Sequence, residues 1–133
     1  EMTDECEAYL YAAARAQHVR QRILPALERG EMVLCDRYLD SSLAYQGAGR
    51  GLGVEQVAAL NRMATGGLTP DLTLFYDLEP EQAMQRRRAP SQLDRLEMVR
   101  QGGARFVRLD AGRDIETLSS DTRRAVRAWM NPK

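Results

Sequence analysis

Met32-Val33-Leu34-Cys35-Asp36-Arg37-Tyr38-Leu39-Asp40-Ser41-Ser42-Leu43-Ala44-Tyr45-Gln46-Gly47 is the stretch around which the rest of the chain arranges itself. A short apolar run ending in a carboxylate and a guanidinium predicts a buried strand, Met32 to Cys35. Its two opposite charges then stand at the carboxyl end, where open α/β sheets collect their ligands. The residues that follow add hydroxyls at Ser41 and Ser42, the phenol of Tyr45 and the amide of Gln46, then the glycine-rich Gly47-Ala48-Gly49-Arg50-Gly51-Leu52-Gly53. A loop of this kind orders around an anion, with Arg37 and Arg50 as forks suited to phosphate oxygens. A strand-end ion pair followed by an ordinary polar loop is the plainer alternative, and the chemistry of the loop weighs against it.

Outward towards the N-terminus, Thr3 to about Arg29 reads as helix. Thr3 or Asp4 caps it, Asp4, Glu5 and Glu7 complement the positive dipole end, and Leu10, Ala14, Val19, Ile23 and Leu27 form the apolar stripe. Pro25 should bend this helix or start a new turn after Leu24. Outward towards the C-terminus, Val54 to Ala64 is a second helix with Val54, Val57, Ala58, Leu60 and Met63 on its core face, closed by Gly66-Gly67. Leu72 to Asp77 is a nearly continuous apolar strand of the kind found in parallel sheets, again ending in a carboxylate. Pro80 opens a helix leading into Arg86-Arg87-Arg88, Arg105 to Asp110 is an alternating third strand, and Asp114 caps a last helix with Ile115, Leu118, Val126 and Trp129 on its apolar face. Alternating helices and strands predict a single α/β domain over residues 1–133, a parallel sheet with helices on both faces.

The 133 residues carry no net charge, so no global field recruits nucleic acid or an anionic membrane, and anion binding must be local. Lys133 is the only lysine, which leaves the positive charge to arginine. Cys6 and Cys35 lack metal-like spacing and read as buried, reduced thiols of a cytoplasmic protein. No apolar run reaches the length of a membrane span.

At Asp36-Arg37-Tyr38, Ser42, Ala44-Tyr45-Gln46-Gly47 and Gly49-Arg50-Gly51 the chain resembles the bacterial thymidylate kinases, P-loop nucleoside monophosphate kinases that pass the γ-phosphoryl of ATP to dTMP. Tyr11-Ala12-Ala13-Ala14-Arg15, Pro70 to Leu74 with Asp77, and a lid-like region at about 86–97 match the family in the same order. The resemblance implies that Tyr11 and Arg15 meet the thymine, and that Ser42, Tyr45 and Gln46 surround the nucleoside. It implies that Arg37 binds the dTMP phosphate, and that Asp36 orients Arg37 or holds Mg2+ through water. It also implies that Arg50, Arg86, Arg87 and Arg88 act on the ATP side, Arg86 and Arg88 catalytically. Pro90-Ser91 departs from the family's lid pattern, which leaves open which arginine reaches the phosphates. A cytoplasmic homodimer, formed through helices, is implied as well. Tyr11 and Arg15, four residues apart, share one helix face, as stacking on a pyrimidine and bonding its carbonyl require.

Nowhere in the chain is there a Gly-x-x-x-x-Gly-Lys-[Ser/Thr]. The family's P-loop unit and the unit after it, about 60 residues in all, are expected before Glu1, and the long helix expected after the lid has almost no room between Glu97 and Ala104. The P-loop strand would lie between the strands ending at Asp36 and Asp77, which without it cannot pair. The chain is therefore expected to be part of a longer protein. A nucleotide-binding or dimerising remnant without activity, or a kinase of another nucleoside monophosphate, are the alternatives.

Overall fold

The computed structural model describes residues 1–79, 82 and 105–131. They fall into two compact units, Glu1–Thr69 and Pro70–Lys133. The helix expected from Pro80, apart from Gln82, and the lid with Arg86, Arg87 and Arg88 lie outside the described residues.

The first unit is helical. Thr3 Oγ1 accepts the Cys6 N–H at 3.3 Å and starts α1, Asp4–His18, whose first turn carries Asp4, Glu5 and Glu7. A π-helical turn, Val19–Ile23, leads directly into α2, Leu24–Glu28. The Leu24 N–H bonds Val19 O, one residue further back than α-helical spacing, immediately before Pro25, which has no N–H to give. Thus Pro25 starts a new turn without breaking the helix.

Ala8, Ala12, Val19 and Ile23 are buried along this helix. Leu10, Ala14 and Leu27 of the expected stripe are exposed instead. Side-chain size pointed to Leu10, but the alanine face is the one on which α4, Val54–Thr65, packs, since small side chains let two helices approach. In α4 itself Val57 is buried as expected, whereas Met63 is 79% exposed and the polar Asn61 and Thr65 take inward positions. Gly66, at φ +64°, ends α4 in the left-handed conformation, as the Gly66-Gly67 pair predicts.

Three expectations about the opening stretch are corrected. Met32–Cys35 is not a strand: it has no regular structure, and Leu34 is 88% exposed. An extended run becomes a strand only when its N–H and C=O groups enter a ladder, and the only strands among the described residues pair with each other. For the same reason Cys35 is exposed, as is Cys6 on the first turn of α1, so neither is a buried thiol.

The segment after Tyr38, read as a loop, is helical: α3, Leu39–Ser42, continues as a π-helical segment, Leu43–Gly49. Its burial explains this, because Ser42, Ala44, Gln46 and Gly47 all face inward and need their backbone groups satisfied internally. A Cβ on Gly47 would lie 3.1 Å from Val54 Cα, a backbone atom with little freedom to give way. Gly47→Ala is therefore expected to destabilise the protein by about 1–3 kcal/mol, the usual cost of overpacking, readable as a lower denaturant midpoint at unchanged m-value.

The second unit pairs β1, Thr73–Asp77, with β2, Phe106–Asp110, in parallel, Thr73 opposite Phe106 and Asp77 opposite Asp110. Two carboxylates thus stand side by side at the carboxyl ends of the strands. Asp77 is buried and ion-paired to Arg108, and Asp110 Oδ1 accepts the Gly112 N–H at 2.9 Å. α5, Ile115–Met130, is capped by Asp114, which accepts the Thr117 N–H and hydroxyl at 2.9 and 2.6 Å; these bonds hold its carboxyl below the usual aspartate range. α5 packs on β2. Of its expected apolar face, Leu118 and Val126 are half-buried, while Ile115 and Trp129 are exposed.

Candidate functional site

α1 and the helical segment Leu39–Gly49 meet in opposite senses, so that an early residue of one faces a late residue of the other. Near the start of α1, Glu7 Oε1 accepts the Gln46 side-chain N–H at 2.8 Å. Two turns on, Arg15 Nη2 donates to Ser42 Oγ at 2.9 Å and to Tyr38 O at 3.4 Å, and Arg15 Nη1 donates to Asn61 Oδ1 on α4. Gln46 and Ser42 are 5% and 4% exposed, so these are interior contacts. Arg15 also lies over the Tyr38 ring, 5.7 Å from its centroid. Burial pushes the Arg15 pKa down and the Tyr38 phenol up; each change is partly offset because the cation and the phenolate would attract one another.

Arg37 stands at the corner between Cys35 and α3 with φ +61°, the only non-glycine residue with positive φ among those described. That conformation costs about 1–2 kcal/mol for a residue with a Cβ. Local contacts hold it: the Cys35 thiol donates to Arg37 O at 3.5 Å, and Arg37 Nε donates to Ser41 Oγ at 3.1 Å. The guanidinium lies over the Tyr45 ring at 4.7 Å. Its terminal nitrogens make no hydrogen bond among the described residues and face solvent. Partial burial pushes the Cys35 thiol pKa up, so the thiol stays protonated and can keep donating.

The remaining predicted residues are placed less evenly. Tyr11, on the helix of Arg15, is 54% exposed. Asp36 is exposed and forms no ion pair among the described residues. Arg50 is engaged by carboxylates at the start of α1, with Nη2 3.1 Å from Glu7 and Nε 3.4 Å from Asp4. Its charge is therefore compensated within the protein, which sets it apart from Arg37. No group of three or more metal-ligating side chains occurs among the described residues, and none of their helices is long and apolar enough to cross a membrane.

Sequence reading missed Glu7 and Asn61. Glu7 was visible only as a dipole-complementing charge. Asn61 carried a clearer signal, an amide four residues after Val57 on the inward side of α4, where an apolar residue is the default.

A helical unit, and a unit that pairs a parallel sheet with a helix, are parts of an α/β protein of the P-loop nucleoside monophosphate kinase fold. The family model described as thymidylate kinase matches residues 1–125, and the chain belongs to the thymidylate kinase family. A thymidylate kinase of Exiguobacterium is 46% identical over 137 aligned positions, covering 91% of this chain and 65% of the relative. That of Deinococcus radiodurans is 48% identical, covering 90% and 66%. That of Oceanobacillus iheyensis is 40% identical, covering all of this chain and 67% of the relative. The chain thus spans about two thirds of the length of these relatives. The last alignment has 151 positions against 133 residues here, so the relative holds residues inside the match that this chain lacks.

Proposed function

We propose that this chain is the acceptor-binding part of an enzyme that transfers the γ-phosphoryl group of ATP to dTMP, giving dTDP and ADP, and that its two units belong to one kinase domain. The observation that carries the reading is the pair of polar contacts between α1 and the segment Leu39–Gly49, Arg15 to Ser42 and Glu7 to Gln46, with Arg37 bonded to Ser41 on the same segment. Arg15 supplies a donor for a base carbonyl, Gln46 an amide near the base, and Tyr45 a ring near the sugar. Arg37 supplies a bidentate fork for the phosphate.

In the reaction an oxygen of the acceptor phosphate attacks the γ-phosphorus as the bond to the β–γ bridging oxygen breaks, and ADP leaves with that electron pair. The phosphate is already a nucleophile, so the protein contributes position and positive charge rather than a general base. Arg37 serves both, and Arg86 and Arg88 complete the charge compensation from the lid.

Mg2+ binds such sites through one or two carboxylates, with the substrate phosphates and waters filling the remaining positions. The lone, exposed carboxylate of Asp36 fits that donor set, whereas an all-protein cage does not. Mg2+ held there through water would neutralise phosphate charge. We further propose a cytoplasmic homodimer, for which the exposed Tyr9 and Leu10 on α1 and Met63 on α4 supply apolar surface.

Coupled-assay turnover by the full encoded protein tests the reading, with dTMP, dUMP, dCMP and dGMP offered in turn alongside ATP and Mg2+. Turnover with kcat/KM highest for dTMP is expected. No turnover on any of them removes the enzyme in favour of a binding or dimerising protein, and preference for another nucleotide reassigns the acceptor.

A further inference from the structure

We propose that Asn61 is a positioning residue for base recognition, one that fixes the Arg15 guanidinium at the depth and tilt at which it meets the acceptor nucleotide. The inference rests on the base-reading role of Arg15 proposed above.

Asn61 is 3% exposed, on the face of α4 turned towards α1. An amide at such a position is unfavourable unless both of its ends are bonded, and both are. Nδ2 donates to Val57 O at 2.8 Å within its own helix, and Oδ1 accepts from Arg15 Nη1. The first bond decides the second. With the amino end tied to a backbone carbonyl, only the oxygen is left to face the guanidinium, and the reversed amide would set N–H groups against a cation.

The opposite nitrogen of Arg15 is held by Ser42 Oγ at 2.9 Å. A long, flexible side chain is thereby pinned from two separate elements before any nucleotide arrives. Binding then does not have to freeze its rotamers, and the remaining N–H groups are presented in a set direction. Ser42 adjoins the nucleotide in this reading, whereas the side-chain bonds of Asn61 go to Arg15 and to Val57 O of its own helix, so its influence on the acceptor passes through Arg15.

Steady-state kinetics of the full encoded protein with dTMP and dUMP, at saturating ATP and Mg2+, tests this. Asn61→Ala is expected to raise KM for dTMP by roughly fivefold to twentyfold while kcat changes by less than about threefold, as loss of uniform binding predicts. In an Arg15→Ala background the same change should add nothing, because the group it positions is gone. Asn61→Asp keeps an oxygen facing Arg15 but sets its other oxygen against Val57 O, so it should raise KM less than Asn61→Ala does without restoring the parent value. If alanine prevents folding, Asn61→Leu, which fills the space without an acceptor, takes its place. An undiminished effect of Asn61→Ala in the Arg15→Ala background, or a loss in Asn61→Asp equal to that in Asn61→Ala, overturns the proposal. Failure of the underlying reading shows separately, as an Arg15→Ala enzyme with unchanged KM for dTMP.

Discussion

Arg37→Ala is expected to lower kcat/KM for phosphoryl transfer to dTMP by at least about tenfold, since in the proposed site it removes a charged phosphate donor from the reacting groups. The loss should fall on kcat as well as KM, because charge on the transferred group is greatest in the transition state. Backbone geometry offers an unusual control. Arg37 holds φ +61°, which alanine tolerates no better than arginine but glycine adopts freely. Arg37→Gly should therefore lose activity like the alanine variant while gaining about 1 kcal/mol of stability from the relieved strain. Thermal denaturation beside initial-rate kinetics reads both. An arginine in a sterically costly conformation whose removal leaves a more stable and less active protein is a residue kept for function. A glycine variant of undiminished kcat/KM would place the phosphate site elsewhere.

The second large effect is expected at Arg15. Arg15→Ala should raise KM for dTMP about tenfold or more, with a smaller change in kcat, because a base contact is made about equally before and during transfer. The effect should be greatest for the nucleotide whose base carbonyl Arg15 reads, so equal losses on dTMP, dUMP, dCMP and dGMP would deny it that role. Stability should fall too, by about 1–3 kcal/mol, because Asn61 Oδ1 is left buried without its donor. Conservative replacement is not expected to rescue: lysine carries the charge but cannot address Asn61 and Ser42 from two nitrogens at once.

The sequence disclosed chemistry more faithfully than placement. Local signals worked where the cause is local. Thr3 and Asp114 cap helices because their side chains reach N–H groups three residues on, and Gly66 ends α4 because the left-handed conformation disfavours a Cβ. β1 and β2 were legible because continuous β-favouring residues find a partner in each other. Met32–Cys35 has similar composition and formed no strand, since a strand depends on its neighbour as well as on itself. Leu10 was misjudged and Asn61 missed for a related reason. Which face of α1 is buried was decided by how closely α4 can approach, and the buried amide only makes sense once Arg15 is opposite it. Among the site residues, Arg15 bonds Ser42, Gln46 bonds Glu7, Arg37 lies over Tyr45, and Arg50 is taken up by Glu7 and Asp4.

The single helix α1 carries both Glu7 and Arg15, about 12 Å apart along its axis at 1.5 Å per residue. One end steers Gln46 and the other steers Ser42, so the two cannot be adjusted independently. Anything that slides or tilts this rod, whether a contact on its exposed leucine side or a change at its capped end, shifts both contacts in step, and with them both grips of the proposed nucleotide site. Recognition built on one rigid ruler is either in register or out of it, and its sensitivity to distant disturbance is set by the stiffness of one helix rather than by the strength of any one hydrogen bond.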